Sequence, residues 1–219
     1  MATARSVTVV DFGRGNLLSV ARAFEHCGAT VTLADESGPV TAADRLVLPG
    51  VGAFGDAMAE LARRGLDDAI RAFAATGRPF LGICLGMQLM LDESEEFGRH
   101  AGLGLVPGAV TAVPAEGADG RPHRVPHIGW NALRPANGGW DGTVLGDIVP
   151  GSSVYFVHSF AASPESESDR LADCDYDGVR IAAAIRRGAW TGCQFHPEKS
   201  GPVGLHIIEN FVESRKAKS

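Results

Sequence analysis

Of the four cysteines in the chain, Cys84 sits where a nucleophile can be made. Gly82-Ile83-Cys84-Leu85-Gly86 follows an apolar run and opens a segment with helical spacing. This is the pattern of a nucleophile elbow with cysteine in the place of serine. A sharp strand-to-helix turn forces the central side chain out over the sheet edge, and small residues two before and two after leave room for it. A helix N-terminus favours negative charge, and the thiolate is the reactive form of a thiol. The N–H of Leu85 would point to where an oxyanion forms. The pentapeptide alone fits a buried structural cysteine beside a glycine turn equally well. The reading is decided by Gln194-Phe195-His196-Pro197-Glu198, which places a histidine 112 residues after Cys84. Following an apolar run, His196 should sit at a strand end, able to take the thiol proton and return it to a leaving amine. Glu198 can orient the imidazole from its far side, and Pro197 stiffens the link. A third segment, Pro49-Gly50-Val51-Gly52, follows another apolar run. Its glycines allow backbone to approach a ligand closely, and the Val51 N–H could complete an oxyanion hole, although a plain glycine turn has the same composition. Cys27, Cys174 and Cys193 lack such a context and read as structural.

These segments need elements to bring them together. Residues 7–11, 30–34, 45–48 and 79–83 are short apolar strand candidates. Between them, 17–26 has helical spacing with Gly28 just past its end, and 56–76 is an Ala/Leu/Arg-rich helical stretch broken near Gly65. A helix is expected to run from Leu85 toward Leu91. Alternating strands and helices predict βαβ units around a parallel sheet. The second half reads differently. Residues 103–113, 153–160, 180–187 and 189–195 look like strands, the last two joined as a hairpin at Gly188, and 203–213 is a closing amphipathic helix. Residues 117–124, 135–142 and 163–170 read as surface loops. The fold class that follows is α/β: a doubly wound, mostly parallel sheet with antiparallel additions, in a single domain. Cys84, His196 and the Pro49–Gly52 segment then all fall just after strands, whose carboxyl ends gather at one crevice.

Composition sets limits. A chain of 219 residues with 45% hydrophobic and 21% charged residues is globular and long enough for one core. A net charge of −6 gives no global basic field for nucleic acid. The one basic cluster, Arg215, Lys216 and Lys218, reads as part of a short disordered tail over 214–219, after a domain spanning 1–213. The apolar stretch 79–91 is only 13 residues, too short for a bilayer span, and no secretory leader is visible, so a cytoplasmic location is expected. The cysteines have no paired or C-x-x-C spacing, which argues against disulfides and against a zinc site. No cofactor or metal is expected.

The elbow, the His196-Pro197-Glu198 segment and the glycine strand end resemble the class I (triad) glutamine amidotransferases. Further segments narrow the resemblance: Asp11-Phe12-Gly13-Arg14-Gly15-Asn16, Pro49-Gly50-Val51-Gly52-Ala53-Phe54, Pro126-His127-Ile128-Gly129-Trp130-Asn131, Tyr155-Phe156-Val157-His158-Ser159-Phe160 and Gln194 to Ser200. Together they are similar to the glutaminase subunits of imidazole glycerol phosphate synthase, over nearly the whole chain. Three positions depart from that pattern: Ile128 stands where methionine is usual, and Phe160 and Phe12 where tyrosine is usual.

The resemblance implies a set of roles. Cys84, His196 and Glu198 would hydrolyse glutamine through a thioester, with the Val51 and Leu85 N–H groups holding the oxyanion. Gly52, Gln88, Glu96, His158, Ser159 and Phe160 would hold glutamine. Asn16, Trp130, Tyr155 and Lys199 would meet a (βα)8-barrel cyclase subunit that receives ammonia, forming a heterodimer. Blander roles stay open for several of these: Asn16 could simply cap the following helix, Trp130 could be core, and Lys199 could be plain surface. Three other functions compete. One is a glutaminase subunit of pyridoxal phosphate synthase, and another is a stand-alone γ-glutamyl hydrolase. The third is a nucleotide-binding module built on Gly13-Arg14-Gly15, where the third glycine of a dinucleotide loop is replaced by Leu18.

Overall fold

The computed structural model describes residues 5–214. In chain order the elements are β1 (Ser6–Val10), α1 (Leu17–His26), β2 (Thr30–Ala34), α2 (Ser37–Ala42), β3 (Leu46–Gly50), α3 (Phe54–Arg63), α4 (Leu66–Ala74), β4 (Phe80–Cys84), α5 (Leu85–Gln88) and β5 (Leu91–Ser94). Then come β6 (His100–Ala101), β7 (Val106–Ala112), β8 (His127–Ala132), β9 (Arg134–Pro135), β10 (Ser153–His158), β11 (Phe160–Pro164), β12 (Arg170–Tyr176), β13 (Val179–Arg187), β14 (Trp190–Cys193) and α6 (Gly201–Glu213).

The main sheet has eight strands in the order β2-β1-β3-β4-β14-β13-β12-β9. The first five run parallel and the last three add antiparallel. The period-2 alternation of its strands divides the interior in two. Val7, Val9, Val47, Leu81 and Ile83 face a core shared with Phe24 of α1 and Ile207, Ile208 and Phe211 of α6. Val10, Leu46, Leu48 and Phe80 face a second core with α2, α3 and α4. The architecture is thus the expected doubly wound α/β sheet with antiparallel additions. Two smaller sheets lie beside it: the antiparallel pair β10-β8 and the four-stranded β11-β7-β5-β6.

Several local expectations hold because their end signals are explicit. α1 starts at Asn16, whose Oδ1 accepts from the Ser19 N–H at 3.4 Å, and gives way to Gly28 at φ +79°. Gly65, at φ +66°, divides the long helical stretch into α3 and α4. The β13–β14 hairpin turns at Gly188.

Two expectations need correction. The segment 153–160 is not one strand: it breaks at Ser159, whose carbonyl accepts from the Val113 N–H at 2.9 Å. β10 pairs with β8, whereas β11 pairs with β7 in a different sheet. The helix after Cys84 also stops at Gln88 rather than running to Leu91. The carbonyls of Leu89, Met90 and Leu91 accept from the N–H groups of Leu103, Leu105 and Gly104, and this return of the chain draws the segment into β5. The loop readings shift as well, with 163–164 ending β11, Pro135 ending β9, and a 3₁₀ turn at Glu167–Asp169. α2, β5, β6, β8, β9 and β12 had not been foreseen as elements. Arg215, Lys216 and Lys218 of the expected tail lie outside the described residues.

Candidate active site

β3, β4 and β14 are neighbours in the parallel part of the sheet. Gly50 is the ladder partner of Cys84 on one side. On the other side Ile83 pairs with Cys193, so Gln194 comes level with Cys84. Cys84 adopts φ +54°, an uncommon conformation for a residue with a side chain. Its tight turn depends on small neighbours. A Cβ on Gly82 would lie 2.6 Å from the Gly86 carbonyl oxygen, and one on Gly86 only 1.7 Å from that of Leu48. This is the strained elbow expected of a nucleophile. The single turn of α5 is too short to supply much of a macrodipole, so charge at the sulfur depends on the groups around it.

His196 follows β14, and Glu198 sits in the 3₁₀ turn Pro197–Lys199. His196 Nδ1 lies 2.8 Å from Glu198 Oε1, and both side chains are buried. The carboxylate holds the proton on Nδ1 and leaves Nε2 with no hydrogen-bond partner. Burial alone would lower the imidazole pKa, but Cys84 and Glu198 beside it outweigh that and push it up to about 9. The Ser200 hydroxyl fixes the turn: it donates to the His196 carbonyl at 2.7 Å and accepts from the Tyr155 N–H at 3.0 Å.

A pocket of about 260 Å³ opens over Cys84, lined by Val51, Gly52, Leu85, Gln88, Glu96, Val157, His158, Ser159, Phe160 and His196. All residues expected to carry chemistry or hold glutamine therefore converge there, apart from Glu198, which stands behind His196. The size suits a small polar ligand rather than a drug-sized one. A larger hollow of about 430 Å³, near α6 and the β13–β14 turn, has no cysteine or histidine in its lining. Glu96 reaches from the pocket wall to α3, where its Oε2 accepts from the Phe54 N–H at 2.6 Å. It thereby caps a helix whose own N-cap residue, Ala53, cannot do so.

Two histidines form the wall behind the pocket. His158 Nδ1 lies 2.9 Å from the Phe160 carbonyl oxygen, and His158 Nε2 lies 3.0 Å from His127 Nδ1. A carbonyl can only accept, so His158 is protonated on Nδ1 and its Nε2 accepts from His127. Burial pushes both pKa values down to about 4; His123 further opposes a charge on His127, and His127 and His196 oppose one on His158. His127 is stacked between Phe156 and Tyr176. With both ring nitrogens of His158 engaged, its contribution to a ligand must come from main chain.

The four expected interface residues lie away from the pocket. Trp130 and Ile128, each 58% exposed, project from β8. Trp130 pairs across to Tyr155 with ring centroids 6.1 Å apart. Asn16 caps α1, as its blander reading had it, and is also exposed; Lys199 is exposed. Phe12 is buried with its ring tip facing Gly50, where a Cβ would meet it at 3.2 Å. Gln194 was missed as a site residue. It is fully buried and contacts both Cys84 and Gln88. The available signal was a lone amide directly after an apolar run, two residues before His196.

Among the described residues no cluster of His, Cys, Asp and Glu could hold a metal ion, and no helix is long and apolar enough to cross a membrane.

Comparison with known proteins agrees with this geometry. The glutamine amidotransferase class-I family matches residues 8–214. Imidazole glycerol phosphate synthase subunit HisH 1 of Legionella pneumophila (strain Lens) is 54% identical over 210 residues, covering 95% of this chain and 99% of the relative. Subunit HisH of Moorella thermoacetica is 45% identical over 209 residues, 95% of each chain. Among solved structures, PurLQS from Thermotoga maritima matches in fold with a TM-score of 0.71 at 20% identity, covering 95% of this chain and 98% of that one. The chain belongs to the class I glutamine amidotransferases, and within them to the HisH family.

Proposed function

We propose that this chain hydrolyses glutamine to glutamate and ammonia through a thioester on Cys84. It then passes the ammonia to a (βα)8-barrel cyclase subunit, which makes imidazole glycerol phosphate and aminoimidazole carboxamide ribotide in histidine biosynthesis. The observation that carries this reading is the placement of a Glu198-oriented imidazole, its Nε2 free, in one small pocket with a cysteine at a strained elbow.

His196 Nε2 takes the thiol proton, and the Cys84 sulfur attacks the carboxamide carbon. The N–H groups of Val51 and Leu85 hold the oxyanion. Collapse expels ammonia, protonated by His196, and leaves a γ-glutamyl thioester. His196 then takes a proton from water, which attacks the thioester carbon, and glutamate leaves as the thiol is restored. Gln88, Glu96, Gly52 and the main chain of His158, Ser159 and Phe160 hold the amino acid. Asn16, Trp130, Tyr155 and Lys199 meet the cyclase, and the heterodimer works in the cytoplasm. The relatives' name as a synthase subunit supports a partnered enzyme over a stand-alone hydrolase.

The test is glutamate release by the purified chain, alone and with a barrel cyclase subunit and its nucleotide ligand, with Cys84→Ala as control. Strong stimulation by the partner, abolished in Cys84→Ala while ammonium salt still supports the cyclase, is the expected outcome. Release that ignores the partner would instead assign a stand-alone hydrolase, and release that survives Cys84→Ala would remove the nucleophile assignment.

A further inference from the structure

The carbonyl of Phe160 sets the direction of a chain of hydrogen bonds that ends on the nucleophile. It accepts from Gln88 Nε2 at 2.9 Å, which fixes which way the Gln88 amide faces. The same Nε2 donates its second hydrogen to Gln194 Oε1 at 3.0 Å. With its oxygen committed to Gln88, Gln194 must present its own Nε2 to Cys84 Sγ, 3.8 Å away. The relay thus runs from Phe160 through Gln88 and Gln194 to the sulfur, and neither amide can reverse without setting a donor against a donor or an acceptor against an acceptor.

The sulfur has one opposing neighbour. The Val157 carbonyl oxygen, 3.9 Å away, can only accept and so favours the protonated thiol. The Gln194 N–H can only donate and so favours the thiolate. Gln194 is fully buried, with both side-chain polar atoms committed. A buried amide is costly unless paired, and this one is paired to the reacting atom and to a pocket-lining residue.

We infer that Gln194 is a further working residue of this site: its N–H stabilises the Cys84 thiolate, while its oxygen holds Gln88 so that the Gln88 Oε1 is the atom offered to the substrate. The inference rests on the nucleophile assignment above and deepens it. The two halves of the Gln194 amide do separate jobs, so two substitutions separate them. Gln194→Glu keeps an acceptor for Gln88, loses the donor to sulfur and sets a carboxylate beside it. Gln194→Met keeps the length and loses both.

The experiment measures alkylation of Cys84 by iodoacetamide against pH, read by peptide mass spectrometry on the full chain, together with glutaminase kinetics in the complex and thermal melting as a check on folding. Other titratable groups could move this profile: His196 and Glu198 after β14, His158 on β10 with His127 behind it on β8, and Glu96 across the pocket. None of them is altered in either variant; Gln194→Glu adds one carboxylate beside the sulfur and Gln194→Met adds none, so Gln194→Met reads the loss of the donor without a change of charge. Gln194→Glu should raise the alkylation midpoint by about one pH unit and lower kcat on the order of tenfold, with KM for glutamine near wild type. Gln194→Met should lower kcat comparably and also raise KM. A wild-type alkylation profile and kcat in Gln194→Glu would overturn the inference. So would a wild-type alkylation profile in Gln194→Met, which loses the donor to sulfur without adding charge. Alkylation is read on Cys84 without glutamine turnover, so failure of this inference is distinct from failure of the proposed reaction, which Cys84→Ala reports.

Discussion

Within one small region His196 is made to hold a proton while His127 and His158 are kept from one. An unperturbed histidine titrates near 6.5. His127 and His158, held to about 4, bind protons more readily in the unfolded chain. Their contribution to stability is whole above pH 6.5 and is lost as the pH falls toward 4. His196, raised to about 9, behaves in the opposite way: its contribution is whole below pH 6.5 and is lost as the pH rises through 9. Scanning calorimetry across pH should therefore give a melting temperature that declines on both sides of neutrality. His127→Gln, which keeps a donor for His158 but removes one titrating ring, should make the acid decline roughly half as steep. Glu198→Gln should flatten the alkaline decline. At this scale the sequence was most readable where a residue type has one chemical use in its setting, as for Cys84, His196 and Glu198. It was least readable at Gln194, because an amide in an apolar run announces burial but not the two partners that tertiary pairing supplies.

The elements hold the site through backbone contacts that admit no side chain. α5 lies on β3 at Gly86, where a Cβ would fall 1.7 Å from the Leu48 carbonyl oxygen. α6 lies on the Glu198 turn at Gly204, where a Cβ would fall 1.9 Å from that of Pro197. Gly86→Ala forces apart two parts of the central sheet layer, and we expect a loss above about 4 kcal/mol, read as failure to recover folded protein. A Cβ at Gly204 meets the backbone of the 3₁₀ turn Pro197–Lys199 rather than that of the central sheet, so Gly204→Ala should fold with a loss of about 1–3 kcal/mol. It should also lower glutaminase kcat, because the turn carrying Glu198 moves with it; equal kcat alongside a lowered melting temperature would contradict that coupling. The legibility of the elements follows the same contrast of local against distant causes. α1 and β2 are written in local signals: a cap at Asn16, a glycine at 28, alternation through 30–34. The break at Ser159 has no glycine or proline to mark it and depends on Val113, 46 residues earlier in the sequence. The short α5 ends for the same kind of reason, its following carbonyls being claimed by residues 103–105.

At the scale of the molecule, the β10–β8 ribbon joins two regions with different tasks. One end pairs His158 with His127 at the pocket wall, and the other pairs Tyr155 with Trp130 on an exposed aromatic face. Trp130→Ala removes area that the isolated chain leaves in water, so its melting temperature and partner-free glutaminase activity should stay within error. The Kd for the cyclase subunit, by titration calorimetry, should weaken by roughly tenfold or more if this face is the docking surface. The order of strands in the sheet has its own consequence. β4 is flanked by β3, made shortly before it, and by β14, after which Gln194 lies 110 positions beyond Cys84. At ordinary synthesis rates, roughly 5 to 20 s separate the emergence of these two residues from the ribosome. Throughout that interval a strand buried along its whole length in the finished sheet has an open edge, and His196 has not yet been made. A nascent chain cannot waste glutamine, but it presents an unpaired apolar edge to its neighbours for as long as it takes to make the second half. Chains truncated before β14 are therefore expected to aggregate rather than to act as a weak glutaminase, read by the soluble fraction of the truncated product against the full chain.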